Sequence, residues 1–213
     1  MDILKEIADK TEKGKQLEVP AAVQKALANG IPPYKVLTNG LQKGLETVGD
    51  RFKRNQAYIP EVLLAARAMQ AGINILQPLL VESGEKPIAT VVLGTVKDDL
   101  HDIGKNMVGM MLEGSGFQVV DLGVNVPAEK FIAAIQDKDT SILAMSALLS
   151  TTAPYLKTVI EALKQKGLRE NVKVLVGGAP VTEQYAIEIG ADGFAPDSAR
   201  AADKAKELLN LKY

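Results

Sequence analysis

The chain of 213 residues contains no cysteine and only one histidine. Without cysteine there are no disulfides, no thiolate nucleophile and no zinc or iron–sulfur site built on sulfur. Imidazole chemistry has a single possible location, His101. Charge of one sign is also missing. The formal net charge is -1, so no basic surplus draws the chain to phosphate backbones or anionic lipid, and neither nucleic acid nor membrane is an expected partner. No apolar run reaches spanning length. The start, Met1-Asp2-Ile3-Leu4-Lys5-Glu6-Ile7, mixes charges into apolar positions, unlike a signal peptide or anchor. The expected location is cytoplasmic. No G-x-G-x-x-G follows the first strand-like run and no Walker lysine motif occurs, which leaves dinucleotide binding unsupported. What the chain does have is 46% hydrophobic residues, enough for a sizeable core and too many for a disordered chain.

The pattern changes near Ser83-Gly84-Glu85-Lys86-Pro87, predicting a domain over 1–86 and a second over 87–213. The first reads as four helices. Ile3, Leu4 and Ile7 recur at helical spacing, as do Val19, Val23 and Leu27, with Asn29-Gly30 as a stop. Pro32 and Pro33 open a third helix with Leu37, Leu41, Leu45, Val48 and Phe52 on one face. A fourth runs from Ile59-Pro60-Glu61 to about Leu80, with Ala65, Ala66, Ala68, Ala71 and Gly72 small enough for close approach. Short connections predict a four-helix bundle. After Pro87, apolar runs (88–93, 117–122, 141–145, 172–176 and a weaker 193–195) alternate with amphipathic segments (101–114, 127–136, 152–166, 182–189 and 198–211). Near-continuous Val/Ile/Leu runs predict strands buried on both faces of a parallel sheet with helices on both sides, an α/β fold of flavodoxin-like winding. Ligands in such folds bind beyond the carboxyl ends of the strands.

Three segments fall at those ends. Asp99-Leu100-His101-Asp102-Ile103-Gly104 follows the first strand. A lone histidine is ordinarily a surface helix cap. Here Asp99 and Asp102 flank it, and Gly104 costs stability where a helix should begin unless something approaches the backbone closely. A neutral imidazole is a common metal ligand, and a nearby carboxylate tunes it through its second nitrogen. Ser146-Ala147-Leu148-Leu149-Ser150-Thr151-Thr152 follows the third strand. Hydroxyl-rich caps are ordinary, but beside the first loop these hydroxyls can line a slot for a polar heterocycle. Val176-Gly177-Gly178-Ala179-Pro180 follows the fourth. It is a tight turn by default, or room for a flat ring. Phe52 and Ile59 read as bundle core on periodicity alone.

Together, Asp99-x-His101-x-x-Gly104, Ser146-x-Leu148 and Gly177-Gly178 resemble the three-part signature of base-off, His-on cobalamin-binding domains. The stretches Gly94 to Asn106 and Asp121-Leu122-Gly123-Val124-Asn125-Val126-Pro127 are similar to the corrinoid methyl-carrier proteins of anaerobic methyltransferase systems for methylamines, methanol, betaines and aromatic methyl ethers. They are also similar to the cobalamin module of methionine synthase. The likeness covers nearly the whole chain. Mutase subunits share the signature but generally lack the bundle, which favours methyl transfer.

The resemblance implies a cofactor, cobalamin (methylcobalamin when loaded), and roles for these residues. His101 is the lower axial ligand of cobalt and Asp99 accepts from its other ring nitrogen. Thr152 stands where methionine synthase continues that chain with serine. Asp102, Ile103 and Gly104 complete the first loop at the corrin. The nucleotide tail enters between Ser146, Leu148, Ser150 and Gly177-Gly178, and Phe52 and Ile59 cap the upper face. A substrate:corrinoid methyltransferase loads the methyl group, and a second methyltransferase passes it to tetrahydrofolate or coenzyme M. A reductive activase restores the cofactor. The carrier is not expected to turn over alone. The His101 bond to cobalt opens and closes in each cycle, with a proton on the His101–Asp99 pair coupled to it. The cap moves aside about a hinge at Gly84 to Lys86. The alternative is a cobalamin-binding sensor without turnover, although the DNA-binding segment usual in sensors is not visible. A cofactor-free response-regulator-like domain would need an aspartate where Ser146 stands. Methyl donor and acceptor are chosen by the partner enzymes, not by this chain.

Overall fold

A computed structural model describes residues 2–84, 86–137 and 139–211. The expected hinge includes Glu85, which lies outside the described residues. Two compact units emerge, Met1–Pro87 with Gly114–Gly116, and Ile88–Glu113 with Phe117–Tyr213.

The first unit is helical: α1 (Ile3–Glu12), α2 (Val19–Ala28), α3 (Pro33–Val36), a π-helical turn (Leu37–Gln42), α4 (Lys43–Lys53) and α5 (Ile59–Glu82). Asp2 caps α1 by accepting the Leu4 N–H at 3.0 Å. Pro20 and Pro33 sit in first turns, where a missing N–H costs nothing. The third helix differs from expectation, since a π turn interrupts it. The Thr38 hydroxyl donates to the Tyr34 carbonyl four residues back, at 2.9 Å, a contact of the kind that competes with the helical ladder. Leu41, Leu45 and Val48 remain buried on both sides of the irregularity, whereas Leu37 and Phe52 are half-buried. α1 packs on α4 closely enough that a Cβ on Gly44 would lie 2.5 Å from the Ala8 carbonyl oxygen.

The second unit is a five-stranded, all-parallel sheet in the order β2-β1-β3-β4-β5. The strands are β1 (Thr90–Thr95), β2 (Gln118–Asp121), β3 (Thr140–Ser146), β4 (Lys173–Gly177) and β5 (Gly193–Ala195). The helices are α6 (Ile103–Gly114), α7 (Ala128–Asp137), α8 (Pro154–Gln165), α9 (Glu183–Ile189) and α10 (Ser198–Leu208). This is the expected flavodoxin-like winding. Val92, Leu143 and Val174 face α7, α8 and α9 through Phe131, Leu156, Ile160 and Ile189. Val91, Ile142 and Leu175 face α6 and α10 through Leu112, Ala201 and Ala205. Each fully buried side chain of this size stabilises by roughly 1.5–3 kcal/mol. One expectation fails at β2. Its residues are half-buried or exposed, because it is an edge strand. Four helices are also shorter than their sequence pattern: α6 begins at Ile103 rather than His101, α8 spans only Pro154–Gln165, α9 begins at Glu183, and α10 ends at Leu208.

Candidate functional site

Parallel pairing sets Thr95, Ser146, Gly177 and Ala195 in one row across β1, β3, β4 and β5. The chain leaves this row in loops stitched to it. The Val96 N–H donates to the Ser146 carbonyl at 3.0 Å, and the Ala147 N–H to the Gly177 carbonyl at 3.1 Å. Asp98 then takes a left-handed conformation, φ 63°, uncommon for a residue other than glycine. That turn sends the Asp99 side chain inward.

Asp99 is fully buried, at 0% exposure, and its carboxylate is saturated with donors. Oδ2 accepts from the Thr152 hydroxyl at 2.6 Å and from the Leu148 N–H at 2.7 Å. Oδ1 accepts from the His101 N–H at 3.1 Å and lies 2.7 Å from His101 Nδ1. Burial pushes the Asp99 carboxyl up. The hydrogen bonds from Thr152, Leu148 and His101 outweigh it and hold the group well below the usual carboxylate range. An ionised carboxylate only accepts, so Nδ1 carries the proton and donates. The other ring nitrogen, Nε2, keeps its lone pair on a side chain that is 49% exposed. Leu100, Leu148 and Leu149 of these same two loops and Ile103 at the start of α6 are exposed large apolar residues, which flanks Nε2 with apolar surface.

The structure thus brings Asp99, His101, Leu148 and Thr152 into one hydrogen-bonded group, although His101 and Thr152 lie 51 residues apart in the chain. Ser146 and Gly177 share the strand-end row with Thr95. A Cβ on Gly178, φ 124°, would lie 1.8 Å from the Ala147 carbonyl oxygen, so only glycine fits between these loops. Gly104 is the contrary case: a Cβ there would meet nothing within 4 Å, so no protein atom demands glycine at that place. Asp102 accepts from the Asn106 amide at 3.2 Å. Ser150 is exposed in the turn before α8. Phe52 and Ile59 belong to the helical unit, one next to the end of α4 and the other opening α5.

Residue-type reasoning gave no role to three further residues. The Thr95 hydroxyl, fully buried, donates to the His101 carbonyl at 2.9 Å. Asn125, φ 53°, brackets the Asp98–Asp99 turn, accepting the Asp98 N–H at 2.8 Å and donating its own N–H to the Asp99 carbonyl at 2.9 Å. Lys105, 3% exposed, pairs with Asp121 and donates to the Asn106 side-chain oxygen at 2.7 Å. A buried ammonium needs such partners. The available sign was position: Thr95 ends β1, and Asn125 lies in the loop after β2.

Among the described residues no three His, Cys, Asp or Glu side chains converge as a metal cage. One imidazole on an apolar floor suits a metal that brings its remaining ligands with it. No helix among the described residues is long and apolar enough to cross a membrane.

Two models described as B12 binding domain match the chain, one over residues 89–203 and the other over residues 3–77. The dimethylamine corrinoid protein 3 of Methanosarcina acetivorans is 43% identical over 207 residues, 97% of each chain. A cobalamin-binding protein from Desulfitobacterium hafniense, solved by crystallography, superposes with a TM-score of 0.80 at 30% identity over 96% of this chain and 98% of that one. A chain of the methanol:cobalamin methyltransferase complex of Methanosarcina barkeri superposes with a TM-score of 0.86 at 29% identity, covering 98% of this chain and 80% of that one.

Proposed function

The chain belongs to the B12-binding family of corrinoid proteins, and from that premise we propose that it carries a methyl group on the cobalt of a corrinoid between two methyltransferases, with His101 as lower axial ligand. The observation that carries this reading is the 2.7 Å contact between His101 Nδ1 and buried Asp99. It fixes the tautomer that presents Nε2 as a ligand, the usual arrangement behind a metal-bound histidine. The donor set fits a corrinoid: the chain offers a single imidazole nitrogen, which would suit a metal whose other ligands come with the cofactor. The open space at Gly104 and the exposed apolar side chains of Leu100, Ile103 and Leu148 fit a flat ring above the loop.

When bound, the corrinoid supplies a cobalt centre that accepts and releases a methyl group. The chain's own residues act below it. Asp99 orients the imidazole through Nδ1, and the Thr152 hydroxyl and Leu148 N–H fix Asp99. The buried Asp99 carboxylate would balance positive charge carried on the His101 ring. The Thr152 hydroxyl, donating to Asp99 Oδ2 at 2.6 Å, supports its reading as the next member of the His–Asp chain. Asp102, Ile103 and Gly104 seat the ring, and Ser146, Ser150 and Gly177-Gly178 take the displaced nucleotide tail. Phe52 and Ile59 would cap the bound group, as the resemblance implies. Residues 1–86 form the cap domain and 87–213 the cofactor domain. The partners are a substrate:corrinoid methyltransferase, a tetrahydrofolate or coenzyme M methyltransferase, and a reductive activase.

The test is transfer. Protein loaded with radiolabelled methylcobalamin is incubated with a corrinoid-dependent coenzyme M or tetrahydrofolate methyltransferase and its acceptor. Label should pass to the acceptor. Label retained with every such enzyme would contradict the carrier reading and favour a sensor.

A further inference from the structure

The residue that carries the imidazole is held at its main chain as well as at its ring. The His101 N–H donates to Asp99 Oδ1 at 3.1 Å, and the His101 carbonyl accepts the Thr95 hydroxyl at 2.9 Å. Thr95 is the last residue of β1, pairs with Ser146 of β3 and is fully buried. Its own N–H donates to the Gly123 carbonyl at 3.0 Å and its carbonyl accepts the Val126 N–H at 2.9 Å. Thr95 is therefore fixed from neighbouring segments on two sides, while His101 lies in an irregular loop two residues before α6.

We propose that Thr95 is a positioning residue for the axial ligand: its hydroxyl clamps the His101 backbone to the end of β1 so that Nε2 returns to one place each time the bond to cobalt forms. The inference rests on His101 being that ligand. A ligand that must leave and rebind needs a backbone that does not drift, and Asp99 alone leaves the carbonyl side of His101 unheld. Loss of one hydrogen bond of this kind shifts an equilibrium about fivefold. The ratio of ligated to unligated protein should fall by up to that factor when the hydroxyl is removed.

Thr95→Val keeps the shape and strand preference of the side chain and removes the donor. Thr95→Ser keeps the donor. Wild type, both variants and His101→Ala are loaded with hydroxocobalamin and reduced to cobalt(II), and the ligated fraction is read from nitrogen splitting in the electron paramagnetic resonance spectrum. Urea unfolding of each cofactor-free protein is measured in parallel. The inference expects a shift of up to about fivefold toward the unligated form in Thr95→Val and near-wild-type ligation in Thr95→Ser. Equal ligation in wild type and Thr95→Val, whatever the change in urea midpoint, overturns it and leaves Thr95 as a structural contact. Absence of histidine splitting in wild type instead overturns the axial-ligand reading itself. If Thr95→Val does not fold, Thr95→Ala carries the same expectation and the same refutation.

Discussion

Replacing Asp99 by asparagine changes one atom and should cost about 3 kcal/mol of stability in the cofactor-free protein. The carboxylate receives four donors, Thr152 and Leu148 on one oxygen and the main-chain N–H and ring Nδ1 of His101 on the other. An amide has one accepting oxygen and one NH2 group. Whichever edge the NH2 group takes, it meets a main-chain N–H that can only donate, that of Leu148 or of His101. Hydrogen bonds to a charged acceptor contribute roughly 1.5–3 kcal/mol each, so losing one edge removes about 3–6 kcal/mol. Asparagine recovers part of this because no charge is buried. Urea unfolding followed by far-ultraviolet circular dichroism gives the value. The pH dependence checks the cause. The Asp99 pKa is lowered by folding, so its contribution is complete above the unfolded value of about 3.9 and is lost as pH falls toward the folded one. The gap between wild type and Asp99→Asn should be constant near neutrality and shrink below about pH 4. A loss under about 1 kcal/mol, or a gap that does not change with acid, would refute the reasoning.

Thr152→Val should destabilise the apo protein by about 1.5–3 kcal/mol, with Thr152→Ser close to wild type, as measured by the same urea titration. Gly104→Ala should separate stability from binding. The added methyl meets no protein atom and a helix prefers alanine by roughly 0.5–1 kcal/mol, so the thermal midpoint of the apo protein should rise. Hydroxocobalamin affinity, read by equilibrium dialysis, should fall at least tenfold, and unchanged affinity would remove Gly104 from the ring seat.

The central strands were legible because parallel strands buried between helices need continuous apolar runs, and 141–145 and 172–176 have them. Asp99, His101 and Thr152 were named together from the resemblance, since a lone histidine is by itself an ordinary helix cap. The π turn at Leu37–Gln42 was not legible, since Leu37, Leu41 and Leu45 keep regular helical spacing. Nor was the start of α6. Asp99 and Thr95 hold the His101 main chain out of the helix, and both contacts depend on where β1 ends rather than on local propensity. Asn125 escaped notice for the same reason. Its partner Asp98 lies 27 residues away, and neither left-handed residue is glycine.

The account stands most directly on the axial bond. Protein loaded with hydroxocobalamin and reduced to cobalt(II) should show splitting from a single imidazole nitrogen in its electron paramagnetic resonance spectrum, and growth on isotopically labelled histidine should alter that splitting. His101→Ala should abolish it while leaving the apo protein folded. Splitting that survives in His101→Ala, or a folded wild-type protein that retains no corrinoid, would contradict the claim that this imidazole holds the cobalt.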